Sequence, residues 1–158
     1  MTKLNNNTNY SKRNPIIALS LSLRFAKEYL EELKQMQKNY TIDEIQESKK
    51  LTIIQRALWT SLIIEIGRIF DTYQNKDIIS FKKINLPEEK NIINNIHGEA
   101  IIGKIINTRK TFTAHWGTEK NNVVSVAELC KSNLDILLNK LYKPLATFEK
   151  WFNNNSEI

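Results

Sequence analysis

The sequence predicts an all-α fold, an up-and-down bundle of four to five helices. The 158 residues include only four glycines and three prolines, too few for the many turns of an all-β fold. Leucine and isoleucine recur at spacings of three and four residues, as on the buried face of a helix. The length suits one domain that buries about two-thirds of its unfolded surface.

The first predicted helix follows a polar tail. Residues 1–13 are rich in Asn, Thr and Lys, offer nothing to bury, and are expected to be disordered. Asn14 is a candidate N-cap with Pro15 at the first helical position. An apolar stripe from Leu19 to Leu33 then carries the helix to about Lys38, and Asn39 to Thr41 mark a turn.

The second predicted helix begins between Ile42 and Ser48 and runs to about Tyr73. It is apolar over most of its circumference, which is typical of a central helix. Glu65, Arg68 and Asp71 interrupt its apolar surface. They either form an ion-pair ladder along the helix, or the carboxylates orient a functional residue elsewhere.

Two prolines and one glycine help to place the remaining helices. Residues 75–86 are a polar connection that could hold a short helix capped by Ser80, and Pro87 begins the next helix. His97-Gly98 is expected to break this helix, with the imidazolium complementing the C-terminal dipole. A last helix from about Ser125 to Phe152 starts with a capping-box spacing and is kinked or split at Pro144. Residues 14–152 would form the single domain, and 153–158 a frayed end.

Charge and cysteine content restrict the possible functions. The net charge of +6 permits a polyanionic partner, and Lys82 and Lys83 are candidates for contacts with RNA phosphates. One cysteine excludes an intramolecular disulfide. No apolar stretch approaches the roughly 20 residues of a membrane span, so we expect a cytoplasmic protein with no membrane partner. Two histidines and unclustered carboxylates predict no metal and no cofactor.

The chemistry concentrates in residues 107–117, NTRKTFTAHWG. His115 can take and give a proton near neutral pH, and Arg109 offers a permanently charged fork for phosphate. Lys110 and Thr113 lie between them. On a regular helix, Arg109 and His115 would stand about 120° apart and about 9 Å apart along the axis. Either the helix ends between them, since Thr111 and Thr113 are β-branched and Gly117 is a plausible C′ residue, or a second copy of the chain completes the site.

Arg109 to His115 resembles the Arg-x(4–6)-His motif of the HEPN superfamily, small helical bundles named for nucleotide binding. The Ala-His ending, the Arg68-x-x-Asp71 segment and the element Ile78-Ile79-Ser80-Phe81 are similar to the branch related to abortive-infection proteins. The resemblance covers roughly residues 15–150. Lys110 departs from the family, where a polar Asn, Asp or His often follows the Arg. Gly117 stands where antitoxin-modified members carry a Tyr.

The resemblance implies a dimeric, metal-independent endoribonuclease that acts as a toxin or in phage defence. His115 would be the acid/base, Arg109 would hold the scissile phosphate, and Lys110, Asp71, Glu65 and Thr113 would support them. RNA, a second copy of the chain and an antitoxin protein are the implied partners. Two alternatives stay open. One is a non-catalytic module of this fold that binds RNA, a nucleotide or a protein. The other is a helical interaction protein in which Arg109 pairs with Asp71 or Glu65.

Overall fold

A computed structural model describes residues 10–71, 80–82, 87–114 and 123–155, except the side chains of 10–15, 112–114 and 155. Within these ranges the chain forms helices and no strand, which confirms the all-α bundle. The described helices are α1 (Tyr10–Asn39), α2 (Ile42–Glu47), α3 (Lys49–Ile69), α4 (Lys90–His97), α5 (Ala100–Ala114), α6 (Val126–Lys131), α7 (Leu134–Lys140) and α8 (Tyr142–Asn155).

The bundle is organised around α1 and α3, which pack along each other more extensively than any other pair. α5 packs on α3, and α6, α7 and α8 cover other parts of α1. The apolar stripe of α1 is almost fully buried, from Leu19 to Leu33. Buried residues of α3, α4, α5 and the last three helices join the same core cluster. The helices that carry the candidate functional residues are therefore held by one packed core.

Both chain ends contain more helix than expected. α1 begins at Tyr10, so residues 10–13 are helical rather than part of a tail, and Asn14 lies inside the helix instead of capping it. α8 continues to Asn155, beyond the predicted end at Phe152. Residues 1–9 and 156–158, the rest of the two predicted disordered ends, lie outside the described residues.

The predicted second helix is divided once, at Ser48, and each of its two parts starts with a hydroxyl cap. The Thr41 hydroxyl accepts from the Glu44 N–H while the Thr41 N–H donates to the Glu44 carboxylate, a capping box that starts α2. Ser48 then ends α2 and caps α3 by accepting from the Leu51 N–H at 3.3 Å. Because each serine or threonine satisfies backbone groups that an uninterrupted helix would pair internally, the chain turns there.

The last predicted helix is divided twice. Its capping box is confirmed: the Ser125 hydroxyl accepts from the Glu128 N–H, and the Ser125 N–H donates to Glu128. It stops at Ser132, whose hydroxyl donates to the Leu129 carbonyl at 2.7 Å. The second division is at Leu141, and Pro144 lies in the first turn of α8, where its missing N–H costs little.

Candidate phosphate-binding site

The candidate functional residues lie on four parts of the chain: the C-terminal ends of α3 and α4, the segment 80–82 and the last third of α5. The chain after α3 is fixed by two hydrogen bonds. The Phe81 N–H donates to the Ile69 carbonyl at 3.0 Å, and the buried Ser80 hydroxyl donates to the Asp71 carbonyl at 2.5 Å. Ser80 therefore joins this segment to the end of α3. The short helix that it was predicted to cap would extend into residues 83–86, which lie outside the described residues.

Arg109 reaches from α5 to the end of α3. Its Nη1 lies 2.9 Å from the Asp71 Oδ2, with 29% of the Arg109 side chain and 13% of the Asp71 side chain exposed. Of the two predicted carboxylate partners, Asp71 makes this contact. Partial burial reduces solvent screening, so the pair holds Arg109 more firmly than a surface ion pair would.

Gly67 makes room for the Arg109 side chain. Gly67 is buried on α3, and a Cβ at this position would overlap the Arg109 Cδ and approach Nε and Nη1 to 3.0 and 3.1 Å. Any larger residue must displace arginine atoms close to the guanidinium. Sequence analysis missed this role, although a glycine inside an apolar helix is a signal of close packing.

Glu65 forms the other ion pair of α3. Its Oε1 accepts from the Arg68 Nη1 at 3.0 Å, so one rung of the predicted ladder is present. Only 12% of the Glu65 side chain is exposed, and its Oε2 is buried without a hydrogen-bond partner. A carboxylate oxygen in that position is costly to bury.

The His97 imidazole lies beside Phe70, the C-cap residue of α3. The His97 ring lies 5.8 Å from the Phe70 ring, centroid to centroid. Lys82 donates to the Asn94 Oδ1 at 2.8 Å, one turn before His97. Burial, and then the charges of Lys82 and Lys110, lower the pKa of His97. His97 ends α4 as predicted, and the lowered pKa disfavours the imidazolium that was expected to complement the helix dipole.

Thr108 holds the chain at Val124 against α5. Its buried hydroxyl donates to the Lys104 carbonyl at 2.8 Å and accepts from the Val124 N–H at 2.9 Å. The Val124 carbonyl in turn accepts from the Trp59 indole at 3.0 Å. Val124 is thereby hydrogen-bonded to both α5 and α3.

Several predicted residues lie outside this description. α5 continues through Thr111 and Thr113 to Ala114, and Gly117, the predicted C′ residue, lies outside the described residues. His115, Lys83 and the side chain of Thr113 are outside the described residues. Within the described ranges, no three His, Cys, Asp or Glu side chains are grouped to hold a metal ion, and no helix there combines the length and apolarity of a bilayer span.

Comparison with known proteins adds no relative: no family model matches the chain, and neither do any of the curated proteins or solved structures. Function is therefore inferred from the residues themselves and from the resemblance of their motif.

Proposed function

We propose that this chain is a metal-independent endoribonuclease of the HEPN type, with Arg109 on the scissile phosphate and His115 as acid/base. One observation carries the phosphate-binding half of the proposal. Arg109 is held by Asp71 in a gap provided by Gly67, yet remains partly exposed, and a second cation, Lys110, follows it directly on α5. An oriented cation that a ligand can reach, with further cations near it, suits an anionic phosphodiester.

The proposed reaction is transesterification within the RNA. The 2′-hydroxyl attacks the adjacent phosphorus as a base removes its proton, and the P–O5′ bond breaks as an acid protonates the leaving oxygen. Arg109 stabilises the extra negative charge on the phosphorane. One chain supplies a single His115, so a homodimer that brings two copies together would supply both base and acid.

The biological setting of the proposal depends on the motif resemblance. A toxin or abortive-infection effector would be cytoplasmic and would be restrained by an antitoxin protein. Lys110, the departure from the family motif, would add a phosphate contact. Lys83 and Thr113 keep the supporting roles proposed for them, and Glu65 would act through its neighbour Arg68.

A second candidate function is favoured by the same ion pair. Arg109 and Asp71 join α5 to the end of α3 at 2.9 Å, which is also what a helical interaction protein needs to hold its bundle together. In that case Arg109→Ala would lower stability without affecting any ligand, and His115→Ala would have no functional effect.

The deciding experiment is cleavage of a mixed RNA substrate, with EDTA present, by wild type, Arg109→Ala and His115→Ala. Lys104→Ala is the matched control, because Lys104 is another α5 cation paired with a carboxylate, Glu128. RNA methylated at the 2′-oxygen is the substrate control, since it has no nucleophile. Melting temperatures establish that every variant folds, and light scattering gives the oligomeric state.

Each outcome selects one function. Cleavage by wild type and Lys104→Ala alone, with 2′,3′-cyclic phosphate products and no cleavage of methylated RNA, supports the nuclease. RNA that is bound but never cut supports the non-catalytic binding module. Neither cutting nor binding, with a lower melting temperature for Arg109→Ala, supports the interaction protein.

A further inference from the structure

The orientation of Arg109 depends on Asp71, and Asp71 lies beyond the end of α3. The helix ends with Phe70 as its C-cap, so the regular helical hydrogen bonds no longer set the backbone of Asp71. The Asp71 N–H donates to the Arg68 carbonyl at 3.3 Å, and the Asp71 carbonyl accepts from the Ser80 hydroxyl at 2.5 Å. The planar peptide groups on both sides of the Asp71 Cα are therefore fixed, and with them the direction of its Cα–Cβ bond.

Ser80 is in turn held in place by its neighbour Phe81, which is anchored in the core. Ser80 is fully buried, and only 1% of Phe81 is exposed. The Phe81 N–H donates to the Ile69 carbonyl at 3.0 Å, two residues before Asp71. Phe81 also belongs to the same core cluster as Phe70. The core thus sets where the Ser80 hydroxyl meets the chain that leaves α3.

We propose that Ser80 is a positioning residue that sets the reach of Arg109 by fixing Asp71. The contacts form one series from the core to the cation: the Phe81 side chain, the Ser80 hydroxyl, the Asp71 backbone and carboxylate, and the Arg109 Nη1 at 2.9 Å from Oδ2. Gly67 leaves the space through which Arg109 reaches this carboxylate. The effect on RNA cleavage rests on the proposed function, whereas the effect on Arg109 does not.

Removal of the Ser80 hydroxyl would take away the donor to the Asp71 carbonyl. An unpaired carbonyl beside a buried residue is costly, so the backbone at Asp71 is expected to rotate until this carbonyl meets water. The Asp71 carboxylate turns with the backbone and moves away from Arg109. An arginine that is no longer held loses the alignment on which stabilisation of developing charge depends.

A buried serine that only stabilises the fold leads to a different expectation. In that case Ser80→Ala lowers the melting temperature and leaves the Arg109 side chain as firmly held as in wild type. Ser132→Ala is the matched control, because the Ser132 hydroxyl also donates to a backbone carbonyl, that of Leu129, at 2.7 Å. Ser132 ends α6, a helix that carries neither Asp71 nor Arg109.

The direct measurement is the rate of rotation about the Nε–Cζ bond of Arg109, from exchange between its two Nη signals in ¹⁵N NMR spectra. Loss of these signals in Arg109→Lys assigns them. Rotation breaks the contact with Asp71, so its rate reports how firmly the guanidinium is held. Ser80→Ala should raise the rate roughly five- to tenfold, which corresponds to about one lost hydrogen bond. Ser80→Thr, which keeps the hydroxyl, and Ser132→Ala should stay within about twofold of wild type.

A double-mutant cycle shows whether Ser80 acts through Asp71. In an Asp71→Ala background there is no carboxylate to orient, so adding Ser80→Ala should not accelerate the rotation further. A second increase of the same size in that background overturns the proposal, and so does a wild-type rate in Ser80→Ala. If Ser80→Ala does not fold, Ser80→Cys replaces it, because a thiol of similar size is a weaker donor. An unchanged rate in Ser80→Cys would also overturn the proposal.

Cleavage measurements separate this inference from the nuclease. If the wild type cuts RNA, Ser80→Ala should lower kcat about tenfold or more and leave KM within about twofold, because Arg109 acts on charge that develops in the transition state. A lower kcat with unchanged rotation of Arg109 rejects the positioning role and leaves the nuclease. Faster rotation in Ser80→Ala of a protein that cuts no RNA supports the positioning role and rejects the nuclease.

Discussion

Two cations of α5, Lys104 and Arg109, each pair with a carboxylate that lies outside α5. The two pairs differ in how far their side chains are buried. The Lys104 Nζ lies 2.5 Å from the Glu128 Oε1 with about half of each side chain exposed (53% and 42%). Arg109 and Asp71 are far less exposed, and Gly67 leaves room for the Arg109 side chain. An exposed pair needs no such accommodation, so the comparison singles out Arg109 as the cation whose position the fold controls.

The largest expected difference is in activity. Arg109→Ala should lower the rate of RNA cleavage by at least about a hundredfold, since a cation that stabilises developing charge is lost. Lys104→Ala should leave the rate within about twofold, because its partner is a surface carboxylate on α6. Single-turnover cleavage at saturating protein measures both. Equal losses in the two variants would remove the functional distinction between the pairs.

A large effect on stability is expected at Gly67. Gly67→Ala should cost about 1–3 kcal/mol, because the new methyl group collides with the Arg109 side chain. Gly103→Ala is the matched control on α5: its Cβ would meet nothing within 4 Å, so alanine should stabilise the helix by about 0.5–1 kcal/mol. Urea unfolding measures both variants.

The cause of the Gly67 effect can be isolated with a double-mutant cycle. In an Arg109→Ala background the colliding atoms are absent, so the cost of Gly67→Ala should largely disappear. A cost that persists there would mean that Gly67 serves something other than the passage of Arg109.

Thr108 lies between Lys104 and Arg109 on α5. Its substitution tests whether α5 also fixes the position of the chain after residue 122. Thr108→Val should destabilise the protein by about 1–3 kcal/mol, because the buried Val124 N–H loses its acceptor. Thr111→Val is the control: that hydroxyl donates only to the Asn107 carbonyl of its own helix, and about 0.5 kcal/mol or less is expected. Similar losses in the two variants would contradict a special role for Thr108.

The smallest effect is expected at the exposed pair. The hydrogen bond from Lys104, followed by those from Ser125, lowers the pKa of Glu128 from 4.5 to about 2. A lowered pKa contributes stability that is present above pH 4.5 and is lost as the pH falls towards the folded-state value. Lys104→Met should raise the pKa of Glu128 only part of the way, because Ser125 remains. The carboxyl ¹³C shift of Glu128 against pH measures this, and an unchanged midpoint would mean that Lys104 does not set it.

Patterns within one helix were predictable from the sequence, and contacts between helices were less so. The buried stripe of α1 and the capping box at Ser125 follow from spacing alone. The division at Ser48 was missed because the apolar stripe continues on both sides of it, and hydroxyl capping is decided by local backbone geometry. The α1 start was misplaced because Asn14-Pro15 imitates a helix beginning.

The candidate site shows the same limit. Arg109 and Asp71 were both singled out, yet only the approach of α5 to α3 decides between Asp71 and Glu65 as the partner. The proximity of Lys82 to His97 depends on how the segment 80–82 folds back on α3, which periodicity does not report. Gly67 carried a readable signal, an isolated glycine on an apolar helix, but its partner lies 42 positions later in the chain, at Arg109.

The join between α5, Val124 and Trp59 gives the molecule a built-in optical reporter. The Trp59 indole N–H donates to the Val124 carbonyl, and Val124 is held by Thr108, the neighbour of Arg109. Indole emission is sensitive to hydrogen bonding and solvent, so displacement of this join should change the fluorescence of Trp59. With Trp116 and Trp151 replaced by phenylalanine, one native fluorophore would report in real time whether RNA arriving at Arg109 disturbs the chain that leads away from it.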